Sequence, residues 1–260
     1  MSDMITRRGF SAWLGAGVGA GMIACAAPRS WAASAVTGHH SLLVFSDPLP
    51  GQEEAFAQWH KAEPVTRMRA IPGIVAAQSY VPGALELRHT ARKTPAHLTI
   101  YTIRSARFAA AAHALAQPGA SGQLWPPESC ASVQTFAYRS YRPTTPGVGG
   151  EPQGAAPGRK ERSIILAFGD AVAGQEAAYD TWYDQVHQPE LMAKAGVVSG
   201  TRDILADIQP GPHADRPRYL TMELLTSDLA ATFHGILDGA GAPSPALDRT
   251  RGFGFTYRPV

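Results

Sequence analysis

The sequence predicts an α+β fold in which one set of six elements (strand, helix, strand, strand, helix, strand) is used twice. Three observations carry this. A shift of 123 residues lays 42–80 on 165–203 without a gap, pairing Phe45 with Phe168, Asp47 with Asp170, Gly51 with Gly174, Trp59 with Trp182 and Gly73 with Gly196. After one indel, HLTIYTIRS (97–105) matches YLTMELLTS (219–227), and an Ala-rich stretch follows each, with His113 in one and His234 in the other. Each half then closes on Tyr-Arg-Pro, at 141–143 and at 257–259. Landmarks recurring in one order mark an internal duplication.

The second half displays the elements most clearly. Ile164 to Phe168 is an apolar run of strand length. A helix is expected from about Ala173 to His187. Pro189 has no amide hydrogen and disfavours helical geometry at Gln188, so that helix should break there. A short new turn opens at Pro189, with Glu190 near its positive end and Gly196 as its stop. Val197 to Ile204 is the second strand. Arg218 to Leu225 is the third, where Leu220, Met222 and Leu224 alternate with Thr221, Glu223 and Leu225. Asp228 to Leu237 is the second helix, capped by Ser227 or Asp228, and Phe253 to Arg258 is the last strand. This order is the split βαβ, ferredoxin-like arrangement. Both helices lie on one face of its sheet, so the other face needs cover, which the other half can supply.

The chain is therefore divided into an export signal at 1–32, a first ferredoxin-like unit at 38–143, a linker at 144–160 and a second unit at 161–260. The linker, TTPGVGGEPQGAAPGRK, is rich in Gly and Pro with no apolar period. Loops 81–96 and 205–217 are long and Pro-containing, as lids or binding loops often are.

The export signal is read from Thr6-Arg7-Arg8-Gly9-Phe10, a twin-arginine pattern. A weakly apolar Gly/Ala run follows from Ala12 to Ala27, and Ser30 and Ala32 supply small residues before a cleavage point. Lipoprotein processing at Cys25 ranks second. The protein is thus expected in the periplasm or secreted, free of the membrane after signal removal, with His39 and His40 disordered behind the signal. The chain has 23 basic and 21 acidic residues. Loss of Arg7, Arg8, Arg29 and Asp3 with the signal leaves equal numbers, which argues against nucleic acid and anionic membrane as partners. Only Cys130 remains, so no intrachain disulfide is expected. Metal-ligand spacings, a P-loop and a dinucleotide fingerprint do not occur, and neither metal nor cofactor is expected. The expected partner is a small-molecule substrate; oligomeric state is left open.

The chemistry concentrates in Gln175 to Gly196. Tyr179, Tyr183 and His187 recur at i, i+4 and i+8 and so share a helical face, with Trp182 and Val186 as an adjacent apolar stripe. His187 titrates near neutral pH and is the candidate general acid or base. Tyr183 is placed with it to orient a phenolic or enolate oxygen, and Asp184 to hold its tautomer. Tyr179, Trp182 and Arg202 form the candidate substrate-binding set. For Trp182 the competing reading is core packing, and for Arg202 a solvated strand end. His113 and His234 read as helix packing, His213 as a loop histidine, and Asp207 and Asp215 as loop solvation.

Trp182-Tyr183-Asp184-Gln185-Val186-His187-Gln188-Pro189-Glu190-Leu191, followed by Gly196-Val197-Val198, resembles the EthD-like branch of the dimeric α/β-barrel superfamily. Those proteins carry a similar W-Y-x-x-x-H-x-P-x-L pattern at the end of the first helix. The resemblance implies two sheets packed into a barrel with helices outside, here within one chain. It covers the second half well. In the first half His60 stands for Tyr183, Lys61 for Asp184 and Pro64 for His187, so that site is expected to be lost. The superfamily includes cofactor-free monooxygenases, isomerases, cyclases, decarboxylases and haem enzymes, and fold alone does not choose among them. The expected function is cofactor-free acid–base chemistry on a small apolar or aromatic substrate in the second half. The alternatives are a haem-binding protein with a histidine ligand and a non-catalytic periplasmic binding or stress protein.

Overall fold

Among the described residues, eight strands close into one antiparallel barrel: β1 (His39–Pro48), β2 (Ile74–Pro82), β3 (His97–Arg104), β4 (Cys130–Pro146), β5 (Ile164–Ala171), β6 (Val197–Leu205), β7 (Tyr219–Leu225) and β8 (Leu247–Pro259). The computed structural model describes residues 38–68, 71–83, 92–116, 129–149, 162–210, 215–225 and 243–260. The expected export signal, linker residues 150–160, His213 and the helix expected at 228–237 with His234 lie outside the described residues. Around the barrel the order is β1-β3-β2-β8-β5-β7-β6-β4. The first-half strands thus run 4-1-3-2 and the second-half strands 8-5-7-6, joined at two seams, β2–β8 and β4–β6. Every strand has a partner on both sides, so no open edge is left for another chain to pair with.

Alternation along the strands separates the lumen from the outer face. Phe45 sits at the heart of the lumen, with the rings of Phe136, Phe168 and Phe255 at 5.5, 6.2 and 5.7 Å. Such edge-on contacts add to what the burial of apolar area contributes. On the outer face of the first half, Leu42, Val44, Tyr101 and Ile103 receive Phe108, Ala111 and Ala112 of α2 (Ser105–Ala116). The other first-half helix is α1 (Glu53–Met68).

The two halves share local devices. Asp47 accepts the amide of Ala96 at 2.9 Å, and Asp170 accepts that of Arg218 at 2.5 Å. Gly51 and Gly174 both turn the chain into a helix with φ of 82° and 81°, a region where an L side chain is strained. The Tyr-Arg-Pro match does not coincide with this correspondence. In register, Tyr138 stands opposite Ser41 as Tyr257 stands opposite Ile164. The corresponding runs are therefore Phe136-Ala137-Tyr138-Arg139 and Phe255-Thr256-Tyr257-Arg258. Tyr141 belongs to an extension of β4, which runs on to Pro146 and pairs Thr145 with Gly200 and Pro146 with Ser199. Residues 144–146 of the expected linker are thus strand.

Three further expectations change. His40 is ordered in β1, stacked on Phe108 at 3.8 Å with Nδ1 2.9 Å from the Ser105 hydroxyl, and burial pushes its pKa down to about 4. The described parts of both long loops are braces. Gln209 hydrogen-bonds the amide and carbonyl of Ala137 through its own amide, while Tyr138 donates to Pro217 at 2.9 Å and Tyr257 to Pro95 at 3.1 Å. Finally, the second-half helix does not break at Gln188. It runs as α3 (Glu176–Trp182), a π turn (Tyr183–His187) and α4 (Gln188–Met192), and Gln188 keeps helical angles of −60° and −47°. The amide of Gln188 reaches the carbonyl of Tyr183, five residues back. Widening the helix there absorbs the proline that would obstruct a regular α turn.

Candidate functional site

The site lies where α3, the π turn and α4 cover the outer face of β5, β6 and β7. Register sets that face: Arg202 pairs with Thr221 and Gly200 with Glu223. Gly200 must be small. A Cβ there would lie 2.6 Å from Met192 Cε and 2.9 Å from Gln188 Nε2, so α4 rests directly on β6.

Two groupings emerge from the candidate residues. The first surrounds Arg202, which is 1% exposed rather than solvated. Its Nη2 donates to Asp180 at 2.6 Å and its Nη1 to Asp184 at 2.8 Å. The rings of Tyr183, Tyr219, Tyr179 and Tyr141 lie 4.3, 5.0, 5.2 and 5.5 Å from the guanidinium carbon. Two groups arrive from the β4 extension: Arg142 donates to the second oxygen of Asp184 at 2.8 Å, and Tyr141 donates to Asp180 at 2.7 Å. Asp184 is therefore spent on two arginines and does not orient His187. Arg202 is already neutralised by two carboxylates.

The second grouping is Trp182, Tyr183 and His187. The His187 ring stacks on half-buried Trp182 at 4.7 Å and meets the Tyr183 ring edge-on at 5.1 Å. Tyr183 is buried and donates its hydroxyl to Thr221 at 2.7 Å. Desolvation pushes Tyr183 well above its ordinary pKa. Burial also pushes His187 below its ordinary value, the positive Arg202 adds to that, and Glu190 opposes it. Val186, placed in an apolar stripe with Trp182, is instead 43% exposed.

Glu223 is the residue that sequence reasoning missed. It is 3% exposed, faces the helix beside Gly200, and burial pushes its carboxyl up to about 8 against a weaker downward pull from its own amide. Its charge bears on Tyr183. The alternation set Glu223 on one face with Thr221, but did not say that this face lies under the helix. In the first half the same position of the helix carries His60, whose Nε2 lies 3.0 Å from Thr99 as the Tyr183 hydroxyl lies on Thr221. Burial and the neighbouring His97 push His60 down to about 3. Tyr101 occupies the place of Glu223 there. Among the described residues, no three His, Cys, Asp or Glu side chains converge as metal ligands.

This chain has the fold of the dimeric α/β-barrel proteins. It is similar to an anthrone oxidase-like protein, with 15% identity, 87% of this chain and 93% of that one covered, and a TM-score of 0.54. It is also similar to a monooxygenase-like protein from Fusobacterium nucleatum (5% identity, 85% and 92% covered, TM-score 0.51). A variant of chlorite dismutase from Candidatus Nitrospira defluvii aligns equally well (12% identity, 86% and 92% covered, TM-score 0.51). No family model matches the sequence, and no curated protein matches it.

Proposed function

We propose that the chain is an exported, cofactor-free small-molecule enzyme of the EthD-like kind, built from two tandem ferredoxin-like units, with its site in the second. One observation carries the reading: the His187 ring meets the Tyr183 ring at 5.1 Å, Glu223 of the covered sheet face acts electrostatically on Tyr183, and burial drives both His187 and Glu223 toward their uncharged forms. At neutral pH His187 is a base ready to accept a proton and Glu223 an acid ready to give one. Environments that displace an imidazole downward and a carboxyl upward leave a base and an acid available at neutral pH. Tyr183, committed to Thr221, positions this pair, and Asp184 leaves the catalytic set for the Arg202 cluster. The shared aspartate and glycine devices support duplication. The Arg7-Arg8 pattern supports twin-arginine export.

An uncharged site favours an uncharged aromatic substrate with an acidic C–H. The likeness to an anthrone oxidase-like protein supplies the probe. His187 removes a proton from the anthrone methylene, and the ketone oxygen takes up the charge as an enolate. The carbanion passes its electron pair to dioxygen, and the resulting hydroperoxide loses water. Anthrone and dioxygen thus give anthraquinone and water, with atoms and electrons balanced.

The test is turnover of anthrone in air, read by quinone absorbance across pH. The rate should rise with pH below the ordinary histidine pKa, as His187 loses its proton. His187→Ala should lower kcat by about 10²–10⁴. Tyr183→Phe should be intermediate and His60→Ala nearly silent. Probe binding with no rate above buffer would favour a non-catalytic binding protein. Equal losses from His60→Ala and His187→Ala would mean two working sites.

Haem binding would need a histidine nitrogen facing a plate-sized gap. His187 is stacked on Trp182, and Met192 and Gln188 close the sheet over Gly200. The described residues do not fit a macrocycle between α4 and β6, and no step is derived through one. A Soret band on the purified protein would reverse this.

A further inference from the structure

We propose that Arg202 is a positioning residue for this site, clamping Asp180 and Asp184 one turn apart so that the π turn ending in His187 is held in one geometry. The proposal rests on the reading of His187 as the base, but the clamp itself is open to test without turnover.

A buried guanidinium loses its hydration and is tolerated when its charge is matched; in Arg202 both Nη groups are paired, while the buried Nε has no hydrogen-bond partner. Here two arginines, Arg202 and Arg142, meet two carboxylates, Asp180 and Asp184, so the cluster is neutral. A single ion pair would have sufficed to neutralise Arg202. Instead its two Nη groups diverge to different carboxylates, one at the end of α3 and one inside the π turn. Only a planar fork spans both; an ammonium is a single point charge. Tyr183 lies between the two aspartates in sequence, stacks at 4.3 Å from the same guanidinium and is tied to Thr221. Positions 180, 183 and 184 are thus pinned to β6 and β7. The Tyr183 carbonyl accepts the amide of Gln188, so the turn holding His187 is closed onto a pinned residue.

The clamp is also where the first half enters the site of the second. Tyr141 and Arg142 stand on the β4 extension and complete the aspartate pair from outside. The expected loss of a first-half site therefore does not make that half dispensable. Its strand braces the helix that carries His187.

The groups that face His187 are Glu190 from its own helix, Arg202 from β6, and the rings of Trp182 and Tyr183, while Glu223 of β7 acts on Tyr183. The test uses the mature chain with nitrogen-15-labelled histidine, following the His187 imidazole by NMR across pH, beside anthrone kinetics. Arg202→Lys keeps the charge and loses the fork. The expected result is a shifted or doubled His187 resonance, a titration midpoint that stays low, and a kcat down about 10²-fold with KM little changed. Arg142→Met alters a side chain that is 40% exposed and should leave the fold intact while giving a smaller change in the same direction. A folded Arg202→Lys protein with unchanged His187 resonances and kcat would overturn the proposal. If Arg202→Lys does not fold, Arg142→Met decides: untouched His187 resonances overturn the clamp, and moved ones support it. A wild-type protein inert toward anthrone would sink the base role, while the resonances still judge the clamp.

Discussion

Glu223 shows what a single residue can conceal. As a letter in YLTMELL it is a polar residue on an alternating strand, on one face with Thr221, and the alternation does not say which face the helix covers. What the pattern does not carry is that Gly200 beside it lets α4 settle onto the sheet, which removes the carboxyl from water. Its folded pKa of about 8 lies above that of an unfolded glutamate. The folded state therefore holds the extra proton. The stability linked to that proton is fully present below about pH 4.5 and is lost as pH rises through about 8. Glu223→Gln should gain on wild type as pH rises from 5 to 9, read as the difference between urea midpoints at the two ends. Midpoints that shift in parallel would show that the carboxyl is not the buried acid described above. Arg202 was legible only in part. Its place on the strand was correct, but the two aspartates that hold it lie some twenty residues earlier, and no local pattern joins them.

At the scale of the element, the helix of the second half was legible in its start, its residues and its charged groups. Its continuity was not. A proline rule applied locally predicts a break, whereas Arg202, Thr221 and the flat landing at Gly200 hold the segment against the sheet, and the helix widens instead. Gly200→Ala tests the landing. The added methyl would meet Met192 Cε at 2.6 Å and Gln188 Nε2 at 2.9 Å, and overpacking of this kind costs about 1–3 kcal/mol. Thermal unfolding should therefore show a lower Tm. If Tm is unchanged, Met192 has swung aside and α4 is not seated on β6 as closely as described. The loops 81–96 and 205–217 teach the same lesson in reverse. In their described parts, Gln209, Pro217 and Pro95 satisfy strand backbone and tyrosine hydroxyls across the halves, a role that length and proline content do not announce.

At the scale of the molecule, the α+β barrel was legible because a sheet with one bare face leaves few ways to bury it. The seams were not, since Tyr-Arg-Pro pointed to Tyr141 where register selects Tyr138. The extension that follows from this is what carries Tyr141 and Arg142 to the second half. The proposed export can be tested on the same whole chain. N-terminal sequencing of material recovered outside the cytoplasm should begin near Ala33, and replacement of Arg7 and Arg8 by lysine should trap the precursor. A lipid-modified chain beginning at Cys25 would favour the alternative processing.

The two seams differ in extent. The β2–β8 seam joins only Tyr80, Val81 and Pro82 to Pro259, Arg258 and Tyr257, while β4–β6 reaches from Tyr138 to Pro146. The shorter one pairs strands from opposite ends of the barrel sequence, the contact most costly in loop-closure entropy and hence the slowest to form. β8 is the last of the eight strands in sequence, so β1 to β7 form an open, curled sheet until it joins. The same seam is the place for amide hydrogen exchange to begin in the finished protein, with the clamp around Arg202 on the far side exchanging late.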